Sequence, residues 1–137
     1  MTKTILIIDD SEIQRYLAER TIKKAMGSVC ILHQSDGKEA LKFLEELEQR
    51  GTKNFPSIIL LDINMPLMDG FDFLESFTKL KQKNEGYGEI KIIMYSSSEL
   101  WEEIERALAY DCVIGHISKA LPPDEMMTLL NKHASAA

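Results

Sequence analysis

Ile58-Ile59-Leu60-Leu61-Asp62 is the stretch that decides the fold. Four aliphatic residues in a row, without polar alternation, suit a short strand covered on both faces. A strand of that kind belongs to a parallel sheet with helices on either side. Four further runs repeat the pattern: Ile5-Leu6-Ile7-Ile8, Val29-Cys30-Ile31-Leu32, Ile90 to Tyr95, and Val113-Ile114 with Ile117. The last is the weakest, because Gly115 and His116 interrupt it.

Amphipathic stretches separate and follow these runs. Ser11 is placed as an N-cap, with Gln14 set to close a capping box, and Ile13, Leu17, Ile22, Ala25 and Met26 follow at helical spacing. Asp36-Gly37 opens a second stretch carrying Ala40, Leu41, Leu44 and Leu47, and a third carries Phe71, Leu74, Phe77 and Leu80. In the fourth, Ser98 is the candidate cap and Trp101, Ile104 and Leu108 form the stripe. The fifth starts at Pro122-Pro123-Asp124 and carries Met126, Leu129 and Leu130. Trp101 and the Met126-Met127 pair read as core or partial core. The polar segments 49–56 and 83–89 read as surface connections. Strand and helix alternate five times, so the expected architecture is a doubly wound α/β sheet of flavodoxin-like type, in strand order 2-1-3-4-5.

Composition narrows the function. The chain has 137 residues, 45% of them hydrophobic and 28% charged, with a formal net charge of −6. One domain over 1–137 is expected, its core spanning about residues 3–133, with no output domain attached. An acidic chain without a basic run is a poor candidate for nucleic acid or an anionic membrane. No apolar stretch approaches the roughly 18 residues that cross a bilayer. Cys30 and Cys112 are far apart and have no metal spacing with His33, His116 or His133, so a cytoplasmic protein without disulfides or zinc is expected.

The polar residues fall at the strand ends. Asp9 and Asp10 follow the first strand, Asp62 ends the third, Ser96 the fourth and Lys119 the fifth. In a parallel sheet these ends share one edge, where open α/β folds bind ligands. A single aspartate after a strand is commonly a cap or turn residue. Three carboxylates, a hydroxyl and a lysine at separate strand ends form a pocket. Its charges repel unless cations compensate them. Lys119 supplies one cation, and Mg²⁺ held by carboxylate oxygens suits the rest. The chemistry implied is phosphoryl transfer to a carboxylate nucleophile.

These residues resemble the receiver domains of two-component response regulators. The segment Asp62-Ile63-Asn64-Met65-Pro66-Leu67-Met68-Asp69-Gly70 is similar to that family's phosphoacceptor block. Ile5 to Asp10, Asp36 to Leu41, Ile92 to Ser97 and Lys119 resemble its other motifs. The resemblance implies Asp62 as phosphoacceptor, Asp10 as a direct Mg²⁺ ligand, Asp9 as a ligand through water, and the Asn64 backbone carbonyl on the metal. It implies that Ser96 bonds the phosphoryl group, that Lys119 bridges it to the pocket, and that His116 stands where the family often has a switch aromatic. It also implies a stand-alone receiver, monomeric or weakly dimeric. A histidine kinase or histidine phosphotransfer protein would supply its phosphoryl group, and a downstream protein would read Trp101, His116 and the last helix. The family usually has a cis proline after the lysine; here Ala120 follows, so that loop is strained or rebuilt. Two alternatives stand beside this reading. One is a Mg²⁺-dependent aspartyl-phosphate phosphohydrolase, which would want an acid where Ser11 or Asn64 stands. The other is a receiver-like module that is never phosphorylated.

Overall fold

The computed structural model describes residues 3–97 and 99–136. Five parallel strands form one sheet in the order β2-β1-β3-β4-β5, and five helices cover it. They are β1 (Lys3–Ile8), β2 (Val29–Gln34), β3 (Ile58–Leu61), β4 (Lys91–Ser96) and β5 (Val113–Ser118). The helices are α1 (Glu12–Met26), α2 (Gly37–Arg50), α3 (Gly70–Lys83), α4 (Trp101–Leu108) and α5 (Pro123–Ala136). The expected doubly wound, flavodoxin-like fold is the one observed. β5 continues through Gly115 and His116, which pair with Ile93 and Met94 of β4, and the register shifts just before them so that Ile114 is passed over.

The sheet divides the core in two. On one side Leu6, Ile8, Ile59 and Leu61 meet Leu44, Phe73, Leu74 and Phe77 of α2 and α3. On the other, Ile5, Ile7, Ile58 and Leu60 meet Ala18 and Ile22 of α1 and Met126, Leu130 and Ala134 of α5. β3 is buried along its whole length, whereas β2, at the edge, is partly exposed. The apolar stripes of α2 and α3 bury as their spacing predicts, except that Leu80, at the end of α3, is only partly buried. Those of α1 and α4 do not all do so. Ile13 and Leu17 are exposed while Ala18 and Ile22 pack, because α1 turns its Ala18–Ile22 stripe to α5 and the sheet. Trp101 is likewise exposed, since Ala107 is the residue that α4 buries.

Local chemistry sets the helix starts. Ser11 Oγ accepts from the Gln14 N–H at 3.2 Å, and Asp36 Oδ1 accepts from the Glu39 N–H at 2.7 Å. A reciprocal capping box occurs at α3, where Asp69 and Asp72 satisfy each other's backbone N–H groups. Ser98, the candidate cap of α4, lies outside the described residues. α1 ends at Gly27, whose φ of 67° is open to glycine at little steric cost. The two polar connections are not plain surface loops. Each contains a 3-10 turn (Thr52–Asn54 and Glu85–Glu89), and the second carries the fully buried Tyr87.

The loop between β3 and α3 is closely held. Gly70 N–H donates to the Ile63 carbonyl at 2.8 Å, and a Cβ on Gly70 would lie 2.6 Å from the Asp62 carbonyl oxygen. Backbone cannot yield as a side chain can. Gly70→Ala is therefore expected to lower unfolding free energy by about 1–3 kcal/mol, the usual range for overpacking. Urea denaturation of the two proteins measures it, and an unchanged midpoint would mean that the loop opens freely.

Candidate functional site

Register brings the acidic residues together. Ile8 of β1 pairs with Leu61 of β3, so Asp9 and Asp62 leave the sheet side by side. The Asp62 N–H donates to the Ile8 carbonyl at 3.0 Å, and the Asp9 N–H donates to that of Gln34 at 3.1 Å. Ser96 of β4 pairs with Ser118 of β5, and the Lys119 N–H donates to the Ser96 carbonyl at 2.9 Å. Strand pairing thus delivers residues from four elements to one edge.

Their side chains meet there. Oxygens of Asp9, Asp10 and Asp62 lie within 4.8 Å of one another. Asp9 and Asp62 are buried, and Asp10 is exposed at the mouth. Lys119 Nζ donates to Asp9 Oδ2 at 2.6 Å and lies 3.4 Å from Asp62 Oδ2. Asp9 Oδ1 accepts from the Ser11 N–H at 2.9 Å, and Asp62 Oδ1 accepts from the Asn64 N–H at 3.3 Å. Burial pushes the Asp62 carboxyl up to about 6 from 3.8; Lys119 opposes this and Asp9 reinforces it. The carboxylate is therefore ionised at neutral pH, though held there against its surroundings. An all-oxygen donor set with more negative charge than Lys119 can balance suits a hard divalent cation.

Ser96 is fully buried at the end of β4, and Ser97 beside it is exposed. His116 stands apart from the carboxylates. It is half-buried on β5 opposite Met94, its Nε2 is buried without a hydrogen-bond partner, and burial lowers its pKa. The Lys119–Ala120 bond is not cis, nor is any other described peptide bond. Instead the loop is rebuilt as a turn: Ser118 Oγ accepts from the Ala120 N–H at 3.1 Å, its carbonyl accepts from that of Leu121 at 3.2 Å, and α5 restarts at Pro123.

Two neighbours escaped sequence reasoning. Arg15 Nη1 donates to the Asp9 carbonyl at 2.6 Å, reaching back from the first turn of α1. The Tyr95 ring centroid lies 5.6 Å from Lys119 Nζ. Strand alternation alone marks Tyr95 as facing away from Ser96; nothing in the sequence marks Arg15.

The response regulator receiver domain family matches residues 5–131. The nitrate/nitrite response regulator NarL of Escherichia coli K12 is 30% identical over 132 residues, which is 96% of this chain and 55% of NarL. The chain thus spans about half the length of that relative. The chemotaxis protein CheY of Thermotoga maritima is 29% identical over 135 residues, covering 96% of this chain and 98% of CheY. Among solved structures, a two-component response regulator from Cytophaga hutchinsonii superimposes with a TM-score of 0.79 at 29% identity, covering 98% of each chain. A sheet wound in this order, an acidic pocket at its carboxyl edge and a family match across nearly the whole length agree, and the chain belongs to the response regulator receiver domains of two-component signalling.

Proposed function

We propose that this receiver accepts a phosphoryl group on Asp62 from a phosphohistidine of a histidine kinase or histidine phosphotransfer protein, and that the acyl phosphate switches binding of a downstream protein. The supporting observation is the buried Asp62 carboxylate, set against Lys119 and within reach of Asp9 and Asp10 oxygens. An Asp62 oxygen attacks phosphorus in line, its bond to phosphorus forms as the nitrogen–phosphorus bond breaks, and the imidazole leaves with the electron pair. Lys119 holds its ammonium toward the incoming charge. Asp9, Asp10, Asp62 and the Asn64 backbone carbonyl would hold Mg²⁺, which when bound supplies charge neutralisation at the phosphoryl oxygens. Asp9 already accepts from Lys119 and Ser11, which fits the role of a ligand acting through water.

Ser96 donates its hydroxyl to the phosphoryl group in the switched state and draws the end of β4 with it. His116, neutral and half-buried, fills the place of the switch aromatic. Downstream recognition falls on the face carrying Trp101, which is 67% exposed, His116 and α5. The protein is a switch that promotes its own phosphorylation, and partner kinases place it in the cytoplasm. No described helix is long and apolar enough to cross a membrane.

Intact mass after exposure to phosphoramidate tests the central claim. A single phosphoryl adduct is expected with Mg²⁺, and neither Asp62→Asn nor the Mg²⁺-free protein should carry it. An adduct retained in Asp62→Asn would place the acceptor elsewhere. The raised pKa of Asp62 gives a second expectation, for the metal-free protein. Its carboxyl takes up a proton more readily folded than unfolded, so ionisation destabilises the fold above about pH 6, and this penalty vanishes below the unfolded value of 3.8. Asp62→Asn should then exceed the parent in stability above pH 7 by up to about 3 kcal/mol, at about 1.36 kcal/mol per pKa unit. Thermal melts across pH should show the gap closing toward pH 4; a gap that widens with acid would contradict it. For Ser96→Ala, phosphorylation should persist while the amide NMR shifts it induces between Ile114 and Lys119 shrink. Loss of a hydrogen bond worth about 1.5–3 kcal/mol shifts such a population about tenfold or more. Ser97→Ala serves as the control, and a response blunted there instead would transfer the role to Ser97.

A further inference from the structure

Helix α4 exposes Trp101 and buries Ala107, so contacts other than core packing fix where it sits. Two of them reach α3. The Arg106 guanidinium lies 3.9 Å from the centroid of the Phe71 ring, and the Tyr110 hydroxyl, just past the end of α4, donates to the Glu75 carboxylate. Phe71 and Glu75 stand at i, i+4 spacing on α3, and Arg106 and Tyr110 share that spacing, so the two pairs form one short seam. Beyond it the elements part: Thr78, Lys81, Asp111 and Cys112 line a cleft of about 210 Å³ in place of a packed interface. The two ends of α4 are thus tied to different parts of the acidic site. Its start follows the end of β4, where Ser96 lies. Its far end is tied through Phe71 to the loop that carries Asp62, because Gly70, the preceding residue, is pressed against the Asp62 backbone and donates to the Ile63 carbonyl at 2.8 Å. Phe71 is itself buried in the core, so the seam is anchored on a fixed element.

We propose that the Arg106–Phe71 and Tyr110–Glu75 contacts restrain α4 in its unphosphorylated position, and that a phosphoryl group on Asp62 switches the protein by drawing α4 off this seam. The pull comes at the start of the helix, from Ser96, and the seam opposes it near the other end. Arg106 and Tyr110 are positioning residues, acting on the switch through α4. A cation over an aromatic ring and a hydrogen bond to an exposed carboxylate each shift a two-state equilibrium by about two- to fivefold or somewhat more. That is enough to bias α4 toward one position and little enough for the phosphoryl group to override. The switching rests on the phosphoacceptor reading of Asp62; the seam itself does not.

Amide NMR of the full chain compares the parent with R106Q, which stays polar but loses the cation, with Y110F, which loses only the hydroxyl, and with the double variant. Phosphoramidate and Mg²⁺ supply the phosphorylated end point of the parent. In unmodified R106Q/Y110F, amide hydrogen exchange across residues 104–108 is expected to quicken about tenfold, while β1 and β3 keep the parent's rates. Resonances of residues 104–108 and 114–119 should also lie part-way along the line joining the unmodified to the phosphorylated parent, with each single variant displaced less than the double. Faster exchange without that displacement would reduce the seam to structural support and overturn the restraint. Unchanged exchange and unchanged positions would overturn the seam. A parent whose intact mass shows no adduct at Asp62 would instead overturn the phosphoacceptor reading and the switching with it, leaving exchange in the unmodified variants to decide the seam.

Discussion

Lys119 Nζ lies 2.6 Å from Asp9 Oδ2 and 3.4 Å from Asp62 Oδ2, tying the last strand of the sheet to the first and third. Both carboxylates are buried, and taking such charges out of water is unfavourable unless geometry and hydrogen bonds compensate. The Ser11 and Asn64 N–H groups provide part of that compensation. One ammonium cannot balance three carboxylates, and burial, with Asp9 beside it, holds the Asp62 carboxyl above its usual range in spite of Lys119. The pocket is therefore poised to take up positive charge, or to respond when its charge changes. Helices, loops and register around it keep these groups from relaxing apart.

The loop after Asp62 shows how firmly they are kept. Leu67 has a φ of 67°, and the Met68 N–H donates to the Pro66 carbonyl at 2.7 Å across it, a tight γ-turn that costs of order 1–3 kcal/mol for such a residue. Gly70 closes the base of the loop, and Asp69 begins α3 directly behind it. Met68 is wedged over Gly37 at the start of α2, where a Cβ would lie 2.9 Å from its sulfur. Strain at the tip persists because both ends are fixed.

Away from the pocket the fold is stapled differently. Tyr87 donates its hydroxyl to Glu48 at 2.7 Å, Asn84 donates to the same carboxylate at 3.0 Å, and Phe55 and Phe77 flank the Tyr87 ring. That clasp joins both connections to α2 at the end of the sheet remote from the aspartates. α4 is held more by side-chain contacts than by burial: Arg106 lies 3.9 Å from the Phe71 ring centroid, and the Tyr110 hydroxyl donates to Glu75. Ala107 is its one buried residue, so α4 has little buried contact to lose in moving.

Much of this was legible in the chain. Unalternating aliphatic runs suit strands covered on both faces, and polar residues after the first, third, fourth and fifth runs mark the edge where those strands end. That reasoning reached the sheet order and the convergence of Asp9, Asp10, Asp62 and Lys119, because strand period and parallel winding are local and topological constraints. What sequence spacing could not decide was which stripe of a helix turns inward. Ile13 and Leu17 have the same spacing as buried residues, yet Ala18 and Ile22 face α5, since the partner across the interface sets the rotation of a helix. Nor could it show that segment 83–89 buries Tyr87, which depends on Glu48 from a distant helix. The reach of Arg15 to the Asp9 carbonyl and the approach of Lys119 to the Tyr95 ring are also tertiary facts. They arise from long side chains crossing between elements, and no periodicity in a chain records where such side chains end.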